Sequence, residues 1–226
     1  MKKLGNWYVP DSDGDHKLKM VIDDKFQCAD ALATAFQYVK RFENAIDVGT
    51  WIGDSTVIMS NRFKRITGFE PSTEVYNCCI ENLKARNINN CKIQQIGLSN
   101  KSGPQLLLNK AKTFSGWIST LELTDKEKTR AITVDTCRLD DLKLTDIDFI
   151  KIDVDSHEGF LIDGAREFFK NNAPVIMMEN KVRDQQKYQN ESMPNPITIL
   201  ASLNYKLVKI AGKADCIFVK QHKVII

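Results

Sequence analysis

Short apolar runs alternate with longer amphipathic ones along most of this chain. Residues 25–42, "KFQCADALATAFQYVKRF", set Phe26, Ala29, Leu32, Ala33, Phe36 and Val39 at helical spacing. "NAIDV" then reads as a short strand, residues 54–63 as a helix, "RITGFE" as a second strand and "STEVYNCCIENLKARN" as the next helix. Asn87 to Asn90 suit a turn, and "CKIQQIGLS" reads as a third strand. Farther on, "IDFIKIDV" predicts a strand, "EGFLIDGAREFFKNN" a helix, "PVIMMEN" a nearly all-apolar strand and "PITILASLN" a helix. "YKLVKIA" and "ADCIFVK" predict an antiparallel hairpin across Gly212. Residues 100–136 lack helical periodicity and read as β segments or loops.

Strands that alternate with helices imply an α/β sandwich with a largely parallel sheet. At 226 residues the chain is most economically one domain, 1–226. Residues 1–43 form an amino-terminal extension and helix, and 44–220 an α/β core. The formal charge of +3 is small for this length and argues against a nucleic-acid partner. No apolar run approaches the roughly 18 to 20 residues of a membrane span, so no membrane partner is expected. Two lysines open the chain without an apolar stretch behind them, unlike a secretory signal. The six cysteines form no C-x-x-C pair, which fits buried free thiols and a cytoplasmic setting.

In a parallel sheet, ligands bind beyond the carboxyl ends of the strands. The first predicted strand ends in Asp47-Val48-Gly49-Thr50-Trp51-Ile52-Gly53. Gly49 suits a tight turn, and Gly53 lets another backbone approach a helix start. Asp54, Ser55 and Thr56 are residues that cap helices, and Ser55, with Asp47, Gly49 and Gly53, is a candidate cofactor contact. A nicotinamide site would read G-x-G-x-x-G, whereas here the spacing is G-x-x-x-G behind an acid. That acid would repel a pyrophosphate and attract a cationic amine, which favours S-adenosyl-L-methionine. Glu70, 23 residues beyond Asp47, is placed to accept hydrogen bonds from ribose hydroxyls. Gly97 and Leu98, at the end of the third strand, are candidates for the adenine edge.

The fourth strand runs into the densest cluster, "DFIKIDVDSHEGFLIDGA". Lys151 and Asp153 share one strand face, and Asp155, Ser156, His157 and Glu158 occupy the turn beyond. Asp153 faces cofactor or substrate. His157 is the candidate general base, since an imidazole is the side chain suited to moving protons near neutral pH, with Asp153 and Glu158 orienting it or the substrate. Lys151, Glu179 and Lys181 are candidate substrate contacts on the same rim. The spacing of the acids specifies no metal, and none is expected. "DSDGD" places Asp11, Asp13 and Asp15 like a calcium loop, but His16 and Ile22 stand where an EF-hand needs Gly and Glu.

Together "IDVGTWIGDS", "GFEP", "ITVDTCRLDDL", "DFIKIDVDSHEGFLIDGA" and "PVIMMENK" resemble the FkbM family of S-adenosylmethionine-dependent methyltransferases, from about Ala45 to Lys181. The chain departs from that family's K-I-D-V-E-G-H/Y-E pattern, with Asp155 for Glu and Ser156 for Gly. The resemblance implies a class I, Rossmann-like methyltransferase fold: a three-layer sandwich around a mostly parallel seven-stranded sheet with its last strand antiparallel. It also implies O-methylation of a sugar or other small-molecule hydroxyl, with a small molecule or glycan as acceptor. Two alternatives stand beside it. An RNA ribose methyltransferase would use Lys151, Asp153, Glu179 and Lys181 as a Lys/acid set and would show salt-dependent RNA binding. A non-catalytic module of the same fold would bind the cofactor without turnover.

Overall fold

The computed structural model describes residues 1–11, 26, 28–109, 116–118, 124–129, 131–180, 193–212 and 214–221. Strands β1 (Lys2–Leu4) and β2 (Trp7–Val9) form an antiparallel hairpin, and α1 (Ala29–Phe36) follows. The core then runs β3 (Asn44–Val48), α2 (Asp54–Ser60), β4 (Arg65–Phe69), α3 (Thr73–Ala85) and β5 (Cys91–Gln94). Next come β6 (Gly97–Leu98), β7 (Gly103–Asn109), β8 (Gly116–Ile118), α4 (Asp125–Lys128) and β9 (Ala131–Cys137), then a 3₁₀ turn over Leu139–Leu142. The chain returns through β10 (Phe149–Ile152), α5 (Glu158–Asp163), α6 (Arg166–Asn171), β11 (Val175–Glu179), α7 (Pro196–Ser202), β12 (Tyr205–Ala211) and β13 (Asp215–Lys220).

The main sheet has seven strands in the order β12-β13-β11-β10-β3-β4-β5. Pairings from β11 across to β5 are parallel, while β13 is antiparallel to both β11 and β12. This is the expected arrangement, including the terminal hairpin. Period-two alternation sorts the side chains into two layers. Ile46, Ile150, Ile152, Ile176, Met178 and Phe218 pack on the α5, α6 and α7 side. Ala45, Phe149, Val175, Met177 and Ile217 pack on the α1 and α2 side. The central strands β3, β10 and β11 are buried on both faces, which is why "PVIMMEN" reads as continuously apolar.

Two differences from the sequence reading matter for the site. The run "CKIQQIGLS" is not one strand: β5 stops at Gln94, and Gly97 and Leu98 pair with Thr136 and Cys137 in a separate sheet of order β6-β9-β7-β8. The predicted helix over 25–42 is helical only over Ala29–Phe36 among its described residues. All six cysteines are free thiols. No described helix is long and apolar enough to cross a membrane.

Candidate active site

The loop from β3 into α2 needs unusual backbone at three alternate positions. Gly49, Trp51 and Gly53 have φ of +76°, +50° and +94°. A Cβ at Gly49 would overlap the Asp153 carbonyl, so this glycine lets β10's end close over the loop. The amides of Gly49 and Thr50 both donate to the Phe69 carbonyl, at 3.0 and 3.2 Å, which pins the loop to the end of β4. Gly53 is the N-cap of α2 and makes no side-chain cap. Ser55 and Thr56 therefore do not cap the helix as expected. Their hydroxyls donate to Asp47 Oδ2 at 2.8 and 2.7 Å, which directs Ser55 at the buried acid rather than at a cofactor.

Asp47 is fully buried, and register explains its partner. Lys151 lies directly opposite it across the β10–β3 pairing, on the same face. The Lys151 ammonium is 3.5 Å from Asp47 Oδ1 and 3.7 Å from Asp153 Oδ2, and it donates to the Gly49 carbonyl at 3.0 Å. Burial works to lower the Lys151 pKa, but Asp47 and Asp153 outweigh it and hold the group well above its ordinary value. With 4% of its surface exposed, Lys151 braces the loop from below. Lys151, expected as a substrate contact, is thus found with its ammonium turned to the loop and to Asp47 and Asp153.

Glu70 sits one residue past β4, 8% exposed. Its carboxylate accepts the Trp51 amide at 3.1 Å and the Ser72 amide at 3.0 Å. Burial pushes its pKa up to about 7, against the lowering effect of those two donors. Asp54, in the first turn of α2, is raised to about 6, again chiefly by burial, while Lys151 pulls it down. Two carboxyl groups displaced toward neutrality around one loop are typical of functional sites.

Beyond β10 the chain makes a left-handed turn at Asp155 and Ser156, with φ of +48° and +76°. Ser156 thus adopts backbone that suits the glycine of the related pattern. Glu158 holds this turn: its Oε1 accepts the amides of Val154 and Ser156, both at 3.3 Å. Glu158 is almost wholly buried and serves the turn rather than an acceptor. His157 is 1% exposed, stacks on Phe160 at 4.9 Å and shares a 2.9 Å hydrogen bond with Ser99 Oγ. A general base must reach the acceptor's proton. This ring reaches inward to Ser99, so the geometry argues against the expected role. Asp153 and Asp155 are the partly exposed acids of the cluster, the Asp153 side chain at 43%.

Glu179 ends β11 half-buried, opposite Asp215 of β13, and Asn180 donates its amide to the Ala214 carbonyl at 2.9 Å. Lys181 lies outside the described residues, as do Asp13 and Asp15 of "DSDGD". Gly97 and Leu98 are buried, with the Leu98 side chain in the core under α5. Their displacement onto the second sheet removes the reason for assigning them to the adenine edge. Among the described residues no cluster of three or more His, Cys, Asp or Glu is arranged to hold a metal. The rim thus assembles Asp47, Gly49, Gly53, Glu70, Lys151 and Asp153. It adds two residues that the sequence reading assigned no ligand-site role, Trp51 and Asp54. Their signal was position: both lie within four residues of the paired glycines.

Residues 47–207 match the family model described as the methyltransferase FkbM domain. Among solved structures the chain is similar to a methyltransferase FkbM from Methylobacillus flagellatus KT, with a TM-score of 0.54 at 15% identity, over 92% of this chain and 56% of that one. It is similar also to a precorrin-8w decarboxylase from Methanobacterium thermoautotrophicum, with a TM-score of 0.54, 12% identity and coverage of 98% and 100%. A SAM-dependent O-methyltransferase from Thermotoga maritima gives a TM-score of 0.53 at 12% identity, with 92% and 72% covered. Comparison with curated protein sequences finds no match. At these identities the structural likeness establishes the fold. The chain spans 56% of the length of the FkbM structure it matches.

Proposed function

The chain belongs to the FkbM family of methyltransferases, and on that premise we propose that it uses S-adenosyl-L-methionine to methylate a hydroxyl of a sugar or other small molecule. The observation that carries this reading is the charge around the glycine loop. Asp47, Asp54, Glu70 and Asp153 surround it with Lys151 as the cation among them. Such a loop repels the diphosphate of a nicotinamide dinucleotide and suits a ligand with ammonium and sulfonium groups. The likeness to the Thermotoga maritima O-methyltransferase supports a hydroxyl acceptor.

The residues present fit this ligand. Glu70 has used two of the roughly four acceptor positions of a carboxylate, which leaves capacity for two ribose hydroxyls. Asp47 keeps Oδ1 without a hydrogen bond although it is buried, with only the ion pair to Lys151 against it. When bound, S-adenosylmethionine supplies an electrophilic methyl group on a positively charged sulfur. Catalysis of such a displacement rests mainly on positioning. Lys151, Gly49 and Asp47 hold the loop, and Glu70 orients the ribose. Asp153, accessible and beside the loop, accepts the proton of the acceptor hydroxyl in place of His157.

Calorimetric titration with S-adenosylmethionine and with NAD tests the cofactor. The methyl donor is expected to bind and NAD not to. Hydrogen bonds to a charged group contribute roughly 1.5 to 3 kcal/mol, so Glu70→Ala should weaken binding about 10- to 100-fold. Unchanged affinity would remove Glu70 from the site. For Asp153→Asn, turnover on a responsive acceptor should fall about 100-fold or more if it is the base. Full turnover with Asp153→Asn would return the proton to solvent or another group.

A further inference from the structure

Helix α3 turns one stripe, Val75, Cys78, Cys79 and Asn82, toward the interior. Three of these are apolar fillers, and the fourth is a fully buried amide. Asn82 Oδ1 accepts the Tyr8 amide at 2.6 Å, and Nδ2 donates to the Tyr8 carbonyl at 2.8 Å. Nδ2 also donates to the Ile52 carbonyl at 2.9 Å. An amide side chain has one acceptor and two donors to give, and no other residue of this length offers that set. Asn82 thereby joins the hairpin to the middle of the cofactor loop. Packing follows the same path: Trp7 and Val9 are buried against Ile52, Val75 and Cys78, with Trp51 packed at the edge of that cluster. The Arg86 guanidinium covers the Trp7 ring at 3.7 Å.

Ile52 lies between Trp51, whose amide is on Glu70, and Gly53, the N-cap of α2. We propose that Asn82 is a positioning residue for the cofactor loop, which it locks to the amino-terminal hairpin so that the Trp51 amide stays on Glu70. This rests on reading the loop and Glu70 as the S-adenosylmethionine site. The loop has three positive-φ positions in five residues, two of them glycine, so it has many alternatives to its present shape. Asn82 removes them at Ile52, as Lys151 does at Gly49. Because coupling between two equilibria is reciprocal, ligand on Glu70 also tightens the hairpin.

Asn172 supplies a control with the same chemistry at the far rim. It is buried, accepts the Ile147 amide at 3.4 Å and donates to the carbonyls of Leu144 and Phe168 at 3.1 and 3.2 Å. Asn82→Ala and Asn172→Ala would be compared under conditions where circular dichroism shows both folded. Two quantities are read: S-adenosylmethionine affinity by calorimetry, and exchange of the Trp51 amide without ligand. Asn82→Ala should weaken binding about 10-fold, the scale of one lost buried hydrogen bond, and speed Trp51 exchange. Asn172→Ala should lower the unfolding midpoint comparably and change neither. Wild-type affinity and exchange in Asn82→Ala, or equal losses in both variants, would overturn the proposal. Should Asn82→Ala not fold, Asn82→Asp keeps the acceptor for Tyr8, loses both donated bonds and is read in the same way. A wild-type protein that binds no S-adenosylmethionine would defeat the cofactor reading instead, and the ligand-free Trp51 exchange would still decide the role of Asn82.

Discussion

At the carboxyl rim of the sheet, Lys151 donates to the Gly49 carbonyl with Asp47 and Asp153 on either side. At the opposite rim, Lys220 donates to the carbonyls of Phe169, Lys170 and Asn172 at 2.6, 2.9 and 3.1 Å. Both ammonium groups close a stretch of main chain, yet their surroundings differ in kind. Lys220 caps the end of α6, where a cation meets the negative end of a helix and carbonyls that water can replace. Burial pushes its pKa down, with no acid to reverse this. Lys151 sits between the fully buried Asp47 and the partly exposed Asp153, and its pKa is raised. The far rim closes a helix end with main-chain carbonyls. The near rim keeps mutually dependent charges around the glycine loop.

The two lysines should therefore respond differently to removal. Lys151→Met leaves Asp47 buried without its cation, a change that typically destabilises by about 3 to 5 kcal/mol. Urea denaturation would measure it. A smaller effect comes from pH. The Glu70 carboxyl titrates at about 7 in the fold against an ordinary 4.5, so between those values the unfolded chain has released a proton that the fold retains. Stability of the ligand-free protein should fall as pH rises through that window, by at most about 3 kcal/mol at roughly 1.4 kcal/mol per unit. S-adenosylmethionine affinity should rise over the same window as Glu70 ionises. Glu70→Gln should reduce both slopes, leaving below about pH 6 the part of the stability slope that Asp54 contributes. A variant that retained the full slopes would place their origin elsewhere. Smallest is Lys220→Met, expected to cost about 1 kcal/mol because its carbonyls gain water. Equal losses for the two lysine variants would dissolve the contrast between the rims.

The sheet was legible because buried parallel strands and amphipathic helices carry their own periods. Strand ends then pointed to Asp47, Gly49, Gly53, Glu70 and Asp153 without any knowledge of contacts. Where reading failed, partner choice or access was decisive. "CKIQQIGLS" carries apolar residues past Gln94, but pairing with Thr136 and Cys137 takes Gly97 and Leu98 to another sheet. Residue type shows that His157 can move a proton; only packing shows that Phe160 and Ser99 enclose it. Ser55 had the chemistry of a cap, and the buried acid eight residues earlier took its hydroxyl. The hairpin strands β1 and β2 have three residues each, too few to show a period. Asn82 did leave a trace: it is the polar member of a stripe whose other positions are Val75, Cys78 and Cys79.

The pairing of β3 with β10 also orders events in time. Lys151 is 102 residues beyond Gly49, and the second sheet is synthesised between them. A ribosome that has delivered β3, β4 and β5 has released an acid whose counter-ion is still untranslated. Asp47 must stay hydrated until then, so the nascent first half gains little from closing its sheet early. Long-range pairing of this kind makes folding slow and the waiting segment prone to association. Arrival of a single lysine is thus the point at which that buried acid gains its counter-ion, with β11, β12 and β13 still to complete the sheet.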